Sequence, residues 1–224
     1  MIIFQPQRFL SRRGVSKYAN KINGILLDAG SGKNCRYNSY LNFNKKISID
    51  FDDKKNPDIV ANLENIPLNN ESVDSILCTQ VLNDLENPPQ ALEEFFRILK
   101  PGGYLVMIDD LMLELHNEPN DYWRFTPISV KMLLLKVGFK IEVIDKLGGF
   151  FASQAQNNIR YLINRFNLYD KKFIFGLQHL IKIYGILMIF LDKIDKSEVN
   201  KQFPISWLVV AKKISKINGR KDLK

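Results

Sequence analysis

The stretch Ile25-Leu26-Leu27-Asp28-Ala29-Gly30-Ser31-Gly32-Lys33-Asn34 decides how the rest of this chain is read. Its first three residues are an apolar run with the character of a short, buried parallel strand. The run ends in an acid, followed by two glycines spaced by one residue. Glycine there lets the backbone turn sharply and leaves main chain that a ligand can approach closely. A helix starting near Lys33 to Asn38 would add free N–H groups and the positive end of its dipole. The stretch predicts a nucleotide-type cofactor cradle at the edge of an α/β sheet, with Asp28, Ala29, Gly30, Ser31 and Gly32 as cofactor-binding residues.

Two other glycine loops are weaker fits. A phosphate-binding loop needs Gly-x-x-x-x-Gly-Lys-Ser/Thr, but Leu27 stands five residues before Gly32 and Asn34 follows Lys33. The dinucleotide fingerprint Gly-x-Gly-x-x-Gly is met only in part, because Cys35 occupies the third glycine's place. What remains, Asp-x-Gly-x-Gly, resembles the first motif of the class I methyltransferases that use S-adenosylmethionine. Asn34 stands where those enzymes often carry another glycine.

Working outward, Lys46 to Asp50 reads as a second strand ending in an acid. Asp50 follows the glycines by about 20 residues, the spacing at which a carboxylate reaches ribose hydroxyls. A surface acid beside Asp52 and Asp53 is the plain alternative. Phe51 is placed next to it in the cofactor set. Asp58 to Ala61 is a short third strand and Glu71 to Thr79 a fourth. The segment between them resembles the methyltransferase region that meets adenine: Asn62 would offer its amide oxygen and Leu63 its backbone. The same resemblance puts Cys78 and Thr79 beside the methionine half of the cofactor. Gln80 to Leu85 resembles the Val-Leu-Glu-His segment of the same enzymes, with Asp84 replacing the histidine.

Pro88 to Leu99 is a helix by its opening prolines and its one-sided Leu92, Phe95, Phe96 and Leu99. Lys100-Pro101-Gly102-Gly103 stops it and turns into the apolar strand Tyr104 to Ile108. Leu-Lys-Pro-Gly-Gly before a strand is among the most recognisable marks of class I methyltransferases. Pro127 to Val137 gives a further helix, Gly138 ends it, and Phe139 to Ile144 is a sixth strand. The resemblance covers residues 25–146, with weaker support at 205–213. It implies a Rossmann-like sheet, mostly parallel with an antiparallel last strand and helices on both faces. A nicotinamide enzyme would share the first loop and Asp50 but not the Pro67 segment or Pro101-Gly102-Gly103.

In a parallel sheet, ligands sit outside the carboxyl ends of the strands, so Asp109 to Pro127 falls at the site. It contains His116-Asn117-Glu118-Pro119-Asn120-Asp121-Tyr122-Trp123-Arg124-Phe125-Thr126-Pro127. This resembles a segment of one group of small methyltransferases, many tied to sugar or surface-polysaccharide pathways. A hydroxyl acceptor must lose its proton, and His116 is the natural general base there; a histidine that orders the loop is the alternative. Asp110, Tyr122, Trp123 and Arg124 are the expected substrate contacts, Arg124 gripping phosphate or carboxylate. Equally, Trp123 could anchor the core and Arg124 could pair with Asp121. No metal is expected.

The chain then organises as one methyltransferase domain, 1–224. Residues 1–24 are a lead-in helix or arm, 147–204 a helical insertion, 205–213 the last strand and 214–224 a basic tail. Within the insertion, Ile159 to Phe166 and Phe173 to Leu191 read as helices. The apolar face of the second suits a substrate cap, a dimer face, or an interfacial helix at 171–196 flanked by Lys171, Lys172, Lys193 and Lys196. The cap is the base case. Gln178, His179 and Lys182 make it too polar for a simple transmembrane span.

Composition agrees with a globular chain: 46% hydrophobic and 25% charged over 224 residues. The net charge of +8 comes from lysine spread along the sequence rather than from basic blocks. That argues against nucleic acid as a partner and leaves an acidic membrane surface in play. Two cysteines without metal-type spacing, and an N-terminus without a signal-peptide pattern, predict a cytoplasmic protein, membrane-associated at most. The expected activity is S-adenosylmethionine-dependent methylation of a small or glycan-linked hydroxyl. A lipid or isoprenoid quinone acceptor, and a cofactor-binding protein that transfers nothing, are the alternatives.

Overall fold

The computed structural model describes residues 3–33, 37–116, 118–169 and 175–214. Asn34, Cys35, Lys171, Lys172, Phe173 and most of the basic tail, each part of a sequence reading above, lie outside the described residues.

Seven strands form one sheet: β1 (Ile25–Ala29), β2 (Lys45–Asp50), β3 (Ile59–Val60), β4 (Val73–Thr79), β5 (Leu99–Asp110), β6 (Phe139–Leu147) and β7 (Ser206–Lys213). Their order is β3-β2-β1-β4-β5-β7-β6. All neighbours are parallel except β7, which runs antiparallel to both β5 and β6. This is the doubly wound, mostly parallel sheet with a reversed late strand that the sequence predicts. The order reverses between β1 and β4, and at such a switch point the two crossovers leave on opposite faces and open a crevice above the carboxyl ends.

Two apolar layers account for the sheet being buried on both sides. Leu27, Ile76, Cys78, Met107 and Val209 point to one face, under helices α2 (Pro88–Ile98) and α3 (Pro127–Val137). Leu26, Leu77, Val106, Leu208 and Val210 point to the other, under Val15 of α1 (Pro6–Lys17) and under Ile22 and Tyr37. Near-continuous apolar strands are what a sheet covered on both faces requires. α2 shows why its sequence is helical: Asn87 caps it, Pro88 occupies its first turn, and Ala91, Leu92, Phe95 and Ile98 are buried on one side. α3 is capped by Thr126 and closed by Gly138 in the left-handed conformation.

Three local expectations need correction. Between β1 and β2 the described residues hold only a short 3-10 turn, Asn38–Tyr40, not an α-helix. β5 starts at Leu99, so Lys100-Pro101-Gly102-Gly103 lies inside the strand as an irregularity; the β4 register jumps there from Val73↔Leu99 to Ser75↔Tyr104. The glycines mark a bulge rather than a connecting turn. In the insertion, α4 spans Phe150–Phe166 and begins directly after Gly149, well before Ile159. α5 spans Phe175–Ile194. The two helices pack on each other, with Ile159, Ile163, Ile181 and Ile3 sharing one small core.

Candidate active site

The crevice above β1, β2 and β4 holds a cavity of about 420 Å³, within the size range of small-molecule sites. Its wall on the β2 side is Asp50, Phe51 and Asp52; Ala61, Asn62 and Leu63 follow from the end of β3. On the β4 side stand Gln80, Val81, Asp84, Leu85 and Glu86, with Asn120 and Tyr122 at the lip.

The glycine loop is stitched to the end of β2. Gly30 N and Ser31 N both donate to Ile49 O, at 2.8 and 3.0 Å. Gly32 N donates to Asp50 Oδ2 at 2.8 Å, and Asp50 Oδ1 accepts from Asp52 N at 3.1 Å. Three amides of the loop are therefore engaged, while part of the helix start expected to offer free N–H groups, near Lys33 to Asn38, lies outside the described residues. A phosphate nest needs N–H groups that point outward, and those of Gly30, Ser31 and Gly32 do not. Gly30 and Gly32 sit at φ +69° and +60°, where a side chain is strained. A Cβ on Gly30 would stand 2.3 Å from Val81 Cγ2, whereas one on Gly32 would meet nothing within 4 Å. Gly30, which lines the cavity, lets Val81 close down on the loop; Ser31 and Gly32, expected among the cofactor contacts, stand outside the lining. Asp28 and Ala29, at the end of β1, are buried and stand outside the cavity lining.

A strongly exposed Phe51 and the buried Asp50 line the cavity from one side. Asn62 lines the cavity, but its Oδ1 already accepts from Glu64 N at 3.0 Å, leaving one lone-pair direction for a ligand. The loop after it, Ile66 to Asn70, is gripped by Arg97, which donates to Ile66 O, Leu68 O and Asn70 Oδ1 while pairing with Glu94.

Cys78 and Thr79 do not line the cavity. The Cys78 side chain is fully buried in the core on the α2 and α3 face, and burial lifts its thiol well above the ordinary range. The period-two alternation of β4 turns it away from the ligand side. In its place the next residues close the cavity. Gln80 has a positive φ of 60°, its N–H donating to Ile108 O, and this kink carries Val81 over Gly30. Sequence reasoning left the role of Gln80 to Leu85 open; its position directly after a carboxyl strand end was the available signal.

The segment after β5 is tied to itself. Asp121 takes two hydrogen bonds from Arg124, at 2.5 and 2.8 Å, and one from the His116 backbone N–H at 2.9 Å. Arg124 also donates to Trp123 O and Glu114 O. With its guanidinium bound this way, Arg124 holds the loop instead of presenting a free anion clamp, and it keeps the Asp121 carboxyl down at about 2. His116 Nδ1 stands 3.2 Å from Glu114 O, and the ring is outside the cavity lining. His116, Asp121 and Asp84 each bring one donor atom within 4.8 Å of the others, so His116 stands one side chain behind Asp84. Asp121 spends its oxygens on Arg124 and the His116 backbone N–H, which ties this loop to itself. Trp123 stacks on Phe125 and donates to Leu85 O at 2.9 Å; it braces the lip. Tyr122, half exposed and bonded to Glu86 and Asn120, is the one expected substrate contact in the lining.

Asp110 is also displaced from its expected role. It is buried and accepts from Gln7 Nε2, Gln80 Nε2 and Ser206 Oγ, joining α1, the β4 end and β7 beneath the site. Burial raises its carboxyl to about 6. Nor does any described residue of the insertion line the cavity. α4 instead lines a second, more open cavity of about 710 Å³, where Asn157, Arg160 and Arg165 face Met112 to Glu114.

The sheet order, the reversed β7 and the ligand crevice at the β1–β4 switch point are now all in place. The fold is that of a class I methyltransferase. Residues 27–107 match a family described as "Methyltransferase domain". Among curated proteins, a ubiquinone/menaquinone biosynthesis C-methyltransferase, UbiE, from Bartonella quintana is 28% identical over 116 residues, which is 51% of this chain and 38% of that protein. The chain aligns with only 38% to 52% of the length of the curated relatives it matches. A solved S-adenosylmethionine-dependent methyltransferase from Mesorhizobium loti superposes with TM-score 0.57, 16% identity and coverage of 91% of this chain and 97% of that one. The cyclase SpnF superposes equally well, with TM-score 0.57 at 14% identity, covering 92% of this chain and 81% of its own. One methyltransferase fold thus carries more than one chemistry.

The cofactor of such a domain is S-adenosylmethionine, and the residues fit it. Gly30 brings main chain to the lining where Val81 leaves no room for a Cβ, Asp50 presents a carboxylate that would take the ribose hydroxyls, and Phe51, Leu63 and Val81 supply apolar walls. None of these contacts needs a free loop amide, in keeping with a cofactor that has no phosphate.

Proposed function

We propose that this chain is an S-adenosylmethionine-dependent methyltransferase. One observation carries the reading: the backbone of Gly30 and the Asp50 carboxylate line the same cavity, and Asp50 is tied to the glycine loop by a 2.8 Å hydrogen bond from Gly32 N. When bound, the cofactor supplies an electrophilic methyl group. The chain's own part is to hold the adenosine along the β1 and β2 ends and to exclude water with Val81, Leu85 and Tyr122.

For the acceptor, a small amphiphilic ring compound of the quinol type is the first choice. The likeness to quinone C-methyltransferases supports it, as does an entrance lined by Tyr122 and Leu85, with Arg124 spent on Asp121 and Lys55 of the lining paired with Asp52. A sugar hydroxyl, the acceptor suggested by the His116 to Pro127 segment, is the second reading. Asp84 and Glu86 favour it, since carboxylates in the lining can accept from hydroxyls. On either reading the carboxylates of the lining, Asp84 and Glu86 on the β4 side, are placed to touch the acceptor, and His116 is not.

Calorimetric titration with S-adenosylmethionine tests the first step, and no heat of binding would overturn the assignment. Turnover assayed on parallel panels of quinols and sugar nucleotides then separates the acceptors.

A further inference from the structure

α5 carries an apolar stripe that the fold leaves uncovered. Leu180, Ile183, Leu187, Phe190 and Ile194 are each more than half exposed. Their spacing of three, four, three and four places them in one line along the helix. The opposite side is the one that packs: Ile181 joins Ile159 and Ile163 of α4, and Ile189 joins Ala152 and Ile205. The stripe is thus the outward face of a helix already anchored on its inner side.

Charge is distributed to match. At 100° per residue, the exposed Lys182 and Lys193 fall together on one flank of the stripe. The helix has a single acid, Asp192, and it is turned inward, where it accepts from the N–H groups of Gly149, Phe151 and Ala152 at the start of α4. The outward face of α5 is therefore apolar in the middle, cationic at one edge and free of carboxylates of its own. Among the described residues no helix is long and apolar enough to cross a membrane, so this pattern belongs to a helix lying in an interface.

We propose that α5 docks this protein on the surface of a bilayer containing anionic lipid, with the stripe sunk at the acyl boundary and Lys182 and Lys193 against the headgroups. A second copy of the chain fits less well. A two-fold pairing of stripes would bring two sets of these lysines to one seam, with no α5 acid to answer them. The inference does not depend on which acceptor is methylated.

Flotation of the full chain with vesicles tests it, using neutral phosphatidylcholine with or without one quarter phosphatidylserine. The wild type should float with the anionic vesicles and be released as salt rises. I183D/L187D should stay at the bottom while keeping the wild-type thermal midpoint and S-adenosylmethionine affinity, since neither side chain touches the core or the cofactor cleft. K182E/K193E should weaken partitioning roughly tenfold at low salt. The proposal is overturned if the wild type fails to float with anionic vesicles at low salt, or if I183D/L187D floats as well. A wild-type dimer that does not float and that I183D/L187D turns into monomer would assign the stripe to a second copy instead.

Discussion

Asp50 and Gly32, 18 residues apart, are joined by a 2.8 Å hydrogen bond from the glycine N–H to the carboxylate. The acid that ends β2 therefore shapes the glycine loop as well as lining the cavity. Removing it takes away a charged acceptor for the cofactor and unties the loop together. Asp50→Ala should weaken S-adenosylmethionine binding roughly tenfold or more, the scale of a lost charged hydrogen bond. Asp50→Asn, which keeps an acceptor for Gly32, should fall in between. Calorimetric titration of both variants checks the order.

Gly30 is held open for Val81. Gly30→Ala combines an unfavourable positive φ with a contact of 2.3 Å to Val81 Cγ2. It should cost about 2–4 kcal/mol of stability. Adding Val81→Ala should recover only part of that, because it relieves the clash and leaves the backbone strain. Urea unfolding of the single and double variants measures both parts.

Asp110 gives the protein a pH signature. Its folded carboxyl is raised to about 6 by burial, above the value of about 3.9 for an unfolded aspartate. Between those values the folded state holds a proton that the unfolded state has lost. The contribution of Asp110 to stability is therefore greatest at low pH, falls as pH rises from about 4 to about 6, and is constant above. Over that window the change amounts to about 3 kcal/mol. Asp110→Asn should remove it, so the melting-temperature difference between variant and wild type should shift in the variant's favour from pH 4 to pH 7. A difference independent of pH would show that Asp110 does not titrate in this range.

The start of α4 has no cap of its own, since Gly149 offers no side chain. Asp192 supplies one from 40 residues or more away. Asp192→Ala should cost about 1–2 kcal/mol and Asp192→Asn less, as with an ordinary helix cap. Thermal denaturation followed by far-ultraviolet dichroism reports the difference.

Arg124 organises the loop over the site by holding Asp121, Glu114 O and Trp123 O. Arg124→Ala should expose the segment from Met112 to Trp123 to limited proteolysis and raise KM for the acceptor more than it lowers kcat. A variant that resists protease like the wild type would return Arg124 to the role of a substrate clamp.

The sequence by itself determined the sheet and the crevice at its carboxyl edge. Apolar strands of fixed length, glycines after β1 and an acid closing β2 are local patterns. Their periods and spacings dictate which backbone can form whatever else the chain does. What only the tertiary structure decided was the direction of each side chain and the partner it meets. Cys78 turned into the core because β4 alternates, and Val81 replaced it over Gly30 because Gln80 kinks. Arg124 and His116 were spent on Asp121 rather than on a ligand, and the insertion packed beside the site instead of over it. A linear sequence fixes the chemistry a residue can offer. Which neighbour claims that chemistry depends on groups tens of residues away, brought together only when the sheet closes.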